Sequence, residues 1–249
     1  MAPPWPAGVE RLQYDRIDST MAEAARLAPG LRAPTWILAL EQSAGRGRRG
    51  RGWVQPAGNF SATLIWRPGG EMAARALRSF VAALALHDAL VAAGVPAGAL
   101  RLKWPNDLLL GGAKLAGILL ESQGDWLAIG FGVNLVAAPE PGALPDEALP
   151  PACLLEGCGL RLTPGALLDL LAPAWAAREA RFVAEGFAPL RRDWLARAAH
   201  LGGAVTARIG EERAHGIFET VDETGRLVLN APGGRRLIPA ADIFFGPRP

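Results

Sequence analysis

Residues 45–53, Gly45-Arg46-Gly47-Arg48-Arg49-Gly50-Arg51-Gly52-Trp53, constrain this chain more than any other segment. Four arginines fall within nine residues, twice the formal net charge of +2 carried by the whole 249-residue sequence. Guanidinium groups at this density need water or anionic partners, so the segment reads as a loop. It lies between two short apolar runs, Thr35 to Leu40 and Ser61 to Trp66, that read as strands. Glycine lets a backbone approach a ligand and present its N–H groups without Cβ obstruction. Arginine supplies forked donors suited to phosphate and carboxylate. The composition fits a polyphosphate and a nucleic acid equally well. Its placement as a single island between strands, rather than a repeated Arg-Gly tract, favours polyphosphate. No Walker loop is present: Gly111 to Lys114 comes nearest, but Leu115 stands where Ser or Thr is required.

Length allows one large and one small domain. A net charge of +2 excludes a polycation, so any basic function is local. Cys153 and Cys158 have no second Cys or His pair nearby, which argues against zinc and for free thiols in a reducing, cytoplasmic compartment. Met1-Ala-Pro-Pro-Trp-Pro lacks the features of a signal peptide, and apolar runs are broken before they reach membrane-spanning length.

Residues 16–28 read as a capped helix start, with Ser19 or Thr20 as the cap. Glu71 to Ala93 has helical spacing and ends at Gly94. Leu100 to Trp104 and Asp107 to Leu110 read as strands around a Pro-Asn turn, and Leu115 to Glu121 with Trp126 to Phe131 as a hairpin. Residues 137–152 read as an irregular connection. Leu167 to Ala184, interrupted at Pro173, and Pro189 to Ala199 read as helices. After Gly202 come short strands at Ala204–Ile209, Glu212–Val221, Arg226–Leu229 and Arg235–Ile238. The expectation is an α+β chain: residues 1–198 form a mixed sheet backed by helices, and residues 199–249 form a small SH3-like β-barrel. His87, in the long helix, reads as a core or boundary residue.

Arg101-Leu102-Lys103-Trp104-Pro105-Asn106-Asp107 sets Lys, Asn and Asp around a rigid turn among leucines. If this strand is buried, the charges of Lys103 and Asp107 need partners. A carboxylate beside phosphates also suits Mg²⁺, while a structural Lys–Asp pair is the plainer reading. Lys114 leads a second apolar strand, and Gly117 leaves room against its backbone. Two such lysines near the Gly/Arg loop point to an anion site. Gly130-Phe131-Gly132-Val133-Asn134 adds a glycine-lined strand end and an amide.

Together with Asp18-Ser19-Thr20 and Glu41-Gln42, these segments in this order resemble the catalytic core of the biotin–protein ligase family, of the biotin–[acetyl-CoA-carboxylase] ligase kind. The resemblance runs from about residue 15 to 136, resumes at Glu185-Gly186-Phe187-Ala188-Pro189, and extends to the terminal strands. It implies a class II synthetase-like core that adenylates biotin with ATP and Mg²⁺ and passes it to a lysine of a biotin carboxyl carrier protein. By this likeness Ser19, Thr20 and Gln42 would bind the ureido ring, with Gly45 and the backbone at Arg46 beside it. Trp53, Gly117 and Ile118 would line the apolar wall. Arg48, Arg51 and Lys114 would hold the biotin carboxylate and the phosphates and carry the chemistry. Lys103, Asn106 and Asp107 would lie at the phosphates, with Asp107 a contact for Mg²⁺, and Asn134 near the nucleotide. No redox cofactor, DNA or membrane partner is implied, and a homodimer is compatible with the likeness.

The sequence departs from the family pattern at three places. Met21 follows Ser-Thr where Asn is frequent. No Trp occurs between 127 and 174 to stack on adenine. The terminal segment Ile238-Pro-Ala-Ala-Asp-Ile-Phe lacks the expected Gly-Glu, so no site residue is assigned there. The rival readings are a lipoate–protein ligase, an Arg-Gly RNA-binding module and a catalytically silent scaffold. The Gly/Arg loop with Lys103–Asp107 favours biotin over lipoate, and Lys114 argues against the scaffold.

Overall fold

The structure, a computed structural model, describes residues 3–140 and 149–245. Seven strands form the larger sheet: β1 (Glu10–Ile17), β2 (Thr35–Gln42), β3 (Phe60–Trp66), β4 (Leu100–Lys103), β5 (Asp107–Leu110), β6 (Ala113–Gln123) and β7 (Trp126–Val133). Their order is β1-β2-β3-β7-β6-β5-β4. The β1–β2 pair is parallel and the other pairs are antiparallel. Strand β1 is not expected from the sequence. It is an edge strand with little burial, so it lacks the apolar run by which a strand is read. It also takes Arg16 and Ile17, which the sequence assigns to the first helix.

Strand side chains alternate between faces, and both faces of the central strands are covered. Trp36, Leu38, Phe60, Ala62, Leu64, Ile129 and Phe131 join the core shared with α2 (Met72–Ala92), α4 (Pro164–Glu185) and α5 (Phe187–Leu195). Ile37, Ile65 and Ala128 join a second core with Met21, Ala24 and Ala28, contributed by α1 (Thr20–Leu27) and the turn after it. Two-sided burial explains why β2, β3 and β7 read as continuous apolar runs. Each fully buried large side chain, such as Leu84 or Phe60, contributes about 1.5–3 kcal/mol of transfer free energy.

Ser19 caps α1 in an extended conformation, its hydroxyl accepting from Ala22 N at 3.5 Å. Helix α2 ends as expected before Gly94, whose φ is 109°. The expected interruption of α4 does not occur: Pro173 lies inside a continuous helix. Proline there removes one donor, and buried Leu167, Leu168 and Leu171 before it and Trp175 and Phe182 after it hold the helix together. A short helix, α3 (Leu154–Cys158), is also not expected, and residues 141–148 of the expected irregular connection lie outside the described residues. Cys153 is buried and Cys158 exposed, both free.

The C-terminal strands β8 (Ala204–Ile209), β9 (Glu212–Val221), β10 (Leu227–Ala231), β11 (Gly234–Ile238) and β12 (Asp242–Phe245) order as β11-β10-β9-β8-β12. Among the described residues no ladder joins β11 to β12, so this is a five-stranded sheet and not the closed barrel expected. Its edge is charged instead of closed: Arg235 and Arg236 of β11 pair with Glu219 and Glu212. The connection between α5 and β8 is tied to β4 at Leu102, whose N–H donates to Arg197 O at 2.9 Å and whose carbonyl accepts from Ala199 N at 2.8 Å. Trp104 Nε1 donates to Gly225 O at 3.1 Å. No helix among the described residues is long and apolar enough to cross a membrane.

Candidate functional site

One row of directly paired residues crosses six strands of the large sheet: Lys103, Asp107, Gly117, Gly132, Ser61 and Ala39. Partners opposite one another share a face, so this row is the floor of a site. Two glycines at its centre clear that floor, and the Trp53 indole lies over them. A Cβ on Gly132 would come within 2.7 Å of Trp53 Nε1, and one on Gly117 within 3.3 Å of Trp53 Cζ3. The next row holds Gly130 opposite Thr63, with the Met21 thioether over Gly130. Met21 therefore packs on the floor while Ser19 still caps α1.

At one end of the floor stands a hydroxyl–amide group. Thr20 donates to Gln42 Oε1 through its N–H at 2.7 Å and its hydroxyl at 3.0 Å, and Thr63 Oγ1 donates to Thr20 Oγ1 at 2.8 Å. Gln42 Nε2 donates to Gln55 Oε1 at 3.1 Å. Each group is thus held in orientation by a neighbour.

The other end is cationic. Lys114 Nζ lies 2.8 Å from Asp107 Oδ1, and Lys103 Nζ 3.4 Å from Asp107 Oδ2. Burial pushes the Asp107 carboxyl up, but the two ammonium groups outweigh it and hold it below the usual carboxylate range. Burial lowers Lys103 despite Asp107, and lowers Arg48 in the same way. Arg48 Nη1 donates to Asn106 Oδ1 at 3.1 Å, and Asn106 Nδ2 donates to Ile118 O at 2.6 Å. Asn106 therefore ties the Gly/Arg loop to β6. Lys114 also stands 6.0 Å from the Trp53 ring.

These elements line one cavity of about 610 Å³, a size suited to a small organic ligand. Six cationic side chains line it (Arg46, Arg48, Arg51, Lys103, Lys114 and Arg208) against the carboxylates of Asp107 and Asp242. Such an excess favours anions, and charge that develops on them. Among its lining atoms, Trp53 Nε1, Ser61 Oγ and Asn134 Oδ1 are buried without a hydrogen-bond partner. Buried polar atoms are seldom left unpaired, so these three mark where a ligand's polar groups would be met.

The structure brings Ser19, Thr20, Gln42, Arg46, Arg48, Arg51, Trp53, Lys103, Asn106, Asp107, Lys114, Gly117, Ile118 and Asn134 to this cavity. Gly45 is not on its wall. It stands behind Trp53, where a Cβ would come within 2.7 Å of the Trp53 carbonyl. Asp107 does not fit a protein-held Mg²⁺ site: both its oxygens are engaged by lysines, and no cluster of three His, Cys, Asp or Glu side chains occurs among the described residues.

Sequence reading missed Ser61, Thr63, Gln55 and the C-terminal residues Arg208, Asp242 and Phe244. Ser61 and Thr63 carried a usable signal, since two hydroxyls two apart in an apolar strand face one side. Nothing local marked Asp242, which comes to the cavity from the second sheet.

Residues 14–134 match the model of the Biotin/lipoate A/B protein ligase family, and residues 200–246 that of the Biotin protein ligase C terminal domain. The chain is 55% identical over 236 residues to the biotin–[acetyl-CoA-carboxylase] ligase of Paracoccus denitrificans, covering 93% of this chain and 98% of that one. It is 31% identical to the bifunctional ligase/repressor BirA of Escherichia coli, covering 87% and 68% respectively. The solved structure of the biotin protein ligase from Aquifex aeolicus in complex with biotin and ATP shares its fold, with a TM-score of 0.80 at 23% identity over 95% of this chain and 99% of that one. The chain belongs to the biotin–protein ligase family.

Proposed function

We propose that this protein activates biotin with ATP to biotinyl-5′-AMP and transfers the biotinyl group to a lysine of a biotin carboxyl carrier protein, as the name of its Paracoccus relative suggests. The observation that carries this reading is a single cavity with two unlike ends. The Thr20–Gln42 end, with Ser19 and the Arg46 backbone, suits a cyclic urea. The end at Lys114, Arg48, Arg51 and Lys103 suits a carboxylate and a polyphosphate. Trp53, seated on the glycine floor beside Ile118, offers an apolar wall for the chain between them, and Asn134 would face the nucleotide.

Two anions must meet for the reaction to proceed. A carboxylate oxygen attacks the α-phosphorus, the bond from that phosphorus to the bridging oxygen breaks, and pyrophosphate leaves. Lys114 and the loop arginines offset the repulsion and stabilise the charge that builds up in the transition state. ATP arrives as its magnesium complex, the metal held by the phosphates. A carrier lysine amine then attacks the anhydride carbonyl, losing a proton as AMP departs. Residues 1–198 bind the small substrates and residues 199–249 close the site from one side. Two free cysteines suit a reducing cytoplasm.

ATP–pyrophosphate exchange by the purified protein tests this, with biotin, with lipoate and with neither, alongside Lys114→Ala. Exchange is expected with biotin alone and is largely lost in the variant. Exchange with lipoate in place of biotin would change the substrate, and no exchange with either would sink the ligase reading.

A further inference from the structure

The Gly/Arg loop and the C-terminal sheet meet at one carboxylate. Asp242, the first residue of β12, accepts from Arg49 Nη1 at 2.8 Å, from Arg51 Nη2 at 3.2 Å and from Arg208 Nη2 at 3.0 Å. Its side chain is 13% exposed, against 41% for Arg49 and 49% for Arg51. The carboxylate is fixed to a rigid element. Strand β12 pairs with β8 from Asp242↔Arg208 to Phe245↔Val205, and Ile243 and Phe244 are buried.

The loop tip has few other restraints. Residues 48–50 include no buried side chain, so no apolar burial holds the tip down. Arg49 adopts a left-handed backbone conformation, φ 56°, which a residue with a Cβ takes only under constraint. The tip is tied within itself by Gly47 N to Arg51 O at 2.7 Å and Arg51 N to Arg48 O at 3.2 Å. Beyond these, Arg48 reaches Asn106, and Arg49 and Arg51 reach Asp242.

We propose that Asp242 is a positioning residue that latches the Gly/Arg loop over the cavity through Arg49, so that the C-terminal sheet keeps the activated intermediate enclosed until the carrier arrives. The guarding role rests on the ligase reading above. A mixed anhydride is lost wherever water reaches its carbonyl or phosphorus, and this loop carries Arg48 and Trp53, which wall the cavity. Arg49 has no place among the cavity-lining residues. Substrate phosphates can therefore draw Arg51 from Asp242 while Arg49 still pins the tip.

Two measurements on the full chain test the latch, using Asp242→Asn, Asp242→Ala, Arg49→Ala, and the charge exchange of Arg49→Asp with Asp242→Arg. The first is limited trypsin digestion without substrates, with cleavage sites mapped by mass spectrometry. Cleavage after Arg46, Arg48, Arg49 and Arg51 is expected to quicken about tenfold or more in both Asp242 variants, with other sites unchanged. Unchanged loop cleavage overturns the latch. The second is the ratio of pyrophosphate released to biotin transferred to the carrier. It is expected near one for the parent protein, to rise several-fold in Asp242→Asn and Arg49→Ala, and to fall back in the exchanged pair. Faster loop cleavage with an unchanged ratio overturns the guarding role. A ratio that the exchanged pair does not lower overturns the Arg49–Asp242 contact as its basis. If Asp242→Ala proves unstable on melting, Arg49→Ala, an exposed position, decides by the ratio. No biotin-dependent pyrophosphate release by the parent protein overturns the ligase reading and the guarding role together, while digestion still decides whether Asp242 holds the loop.

Discussion

Lys114 lies against Gly117, its Nζ 3.7 Å from where a Cβ on that glycine would stand, although the two are three positions apart on one strand. Residues three apart in a regular strand face opposite sides. Here β5 pairs Leu109 with Lys114 and Leu108 with Ala116, which leaves Leu115 without a partner. This β-bulge returns Lys114 to the face of Gly117 and sends Leu115 into the core, where it is fully buried. Lys114→Ala is therefore expected to lower kcat for adenylation by about 100- to 1,000-fold, the usual loss for one donor aimed at developing charge. Its melting temperature should stay within a few degrees of the parent, and pre-steady-state adenylate formation is the measurement. A loss below tenfold would remove Lys114 from the chemistry.

Gly132→Ala should be more damaging than its one methyl group suggests. The new Cβ would fall within 2.7 Å of the Trp53 indole, which must then leave its place over the floor. The Michaelis constant for biotin is expected to rise at least tenfold, with a smaller change for ATP. Steady-state kinetics with each substrate varied in turn checks this, and equal increases for both would place Trp53 elsewhere in the reaction.

Thr63→Val removes the hydroxyl that orients Thr20 and leaves a side chain of like shape. One neutral hydrogen bond contributes about 0.5–1.5 kcal/mol, or roughly 2- to 10-fold in affinity. Calorimetric titration should show biotin bound that much more weakly, with ATP binding unchanged.

Ser61→Ala separates a ligand contact from a structural one. The Ser61 hydroxyl is buried and unpaired in the free protein, so its removal should leave the melting temperature unchanged or raised. Ligand binding should weaken by about 2- to 10-fold if that hydroxyl meets a ligand. A fall in melting temperature with full ligand affinity would make Ser61 purely structural.

Stability should fall in acid. Asp18 is held down to about 2 by hydrogen bonds from Arg26 and the Ser19 backbone. Asp107 is lowered by its two lysines, and Asp242 by the Arg208 hydrogen bond and the loop arginines, each against the opposing effect of burial. A carboxyl whose folded pKa lies below its ordinary 3.8 binds fewer protons when native than when unfolded. The stability it contributes is complete above that ordinary value and is lost as pH falls toward the folded one. Melting temperatures between pH 7 and pH 3 should be level first and then drop below about pH 4. Asp107→Asn should shallow the drop. A rise on acidification would mean that these carboxyls are not held down in the folded protein.

Much of this protein is written locally in its sequence. Runs of apolar residues fix β2, β3 and β7, because burial on two faces leaves no polar alternation to misread, and apolar residues at helical spacing fix the long helix α2. The density of Gly and Arg at 45–53 fixes a loop for anions, and the leucines around Lys103 and Asp107 oblige those charges to pair. Tertiary structure decided the rest, because it depends on ladder register and on contacts between distant segments. The bulge at Leu115 depends on how β6 meets β5, and no residue near Lys114 announces it. Edge strand β1 has no burial pattern to read, and Pro173 is tolerated because the packing of α4 outweighs one missing donor. The Gly132–Trp53 contact exists only once β7 lies beside β3 with the Gly/Arg loop folded over it, and the meeting of Asp242 with Arg49, 193 residues apart, only once the two sheets are docked. The chemical groups were legible one by one, and their convergence on one cavity is a property of the fold.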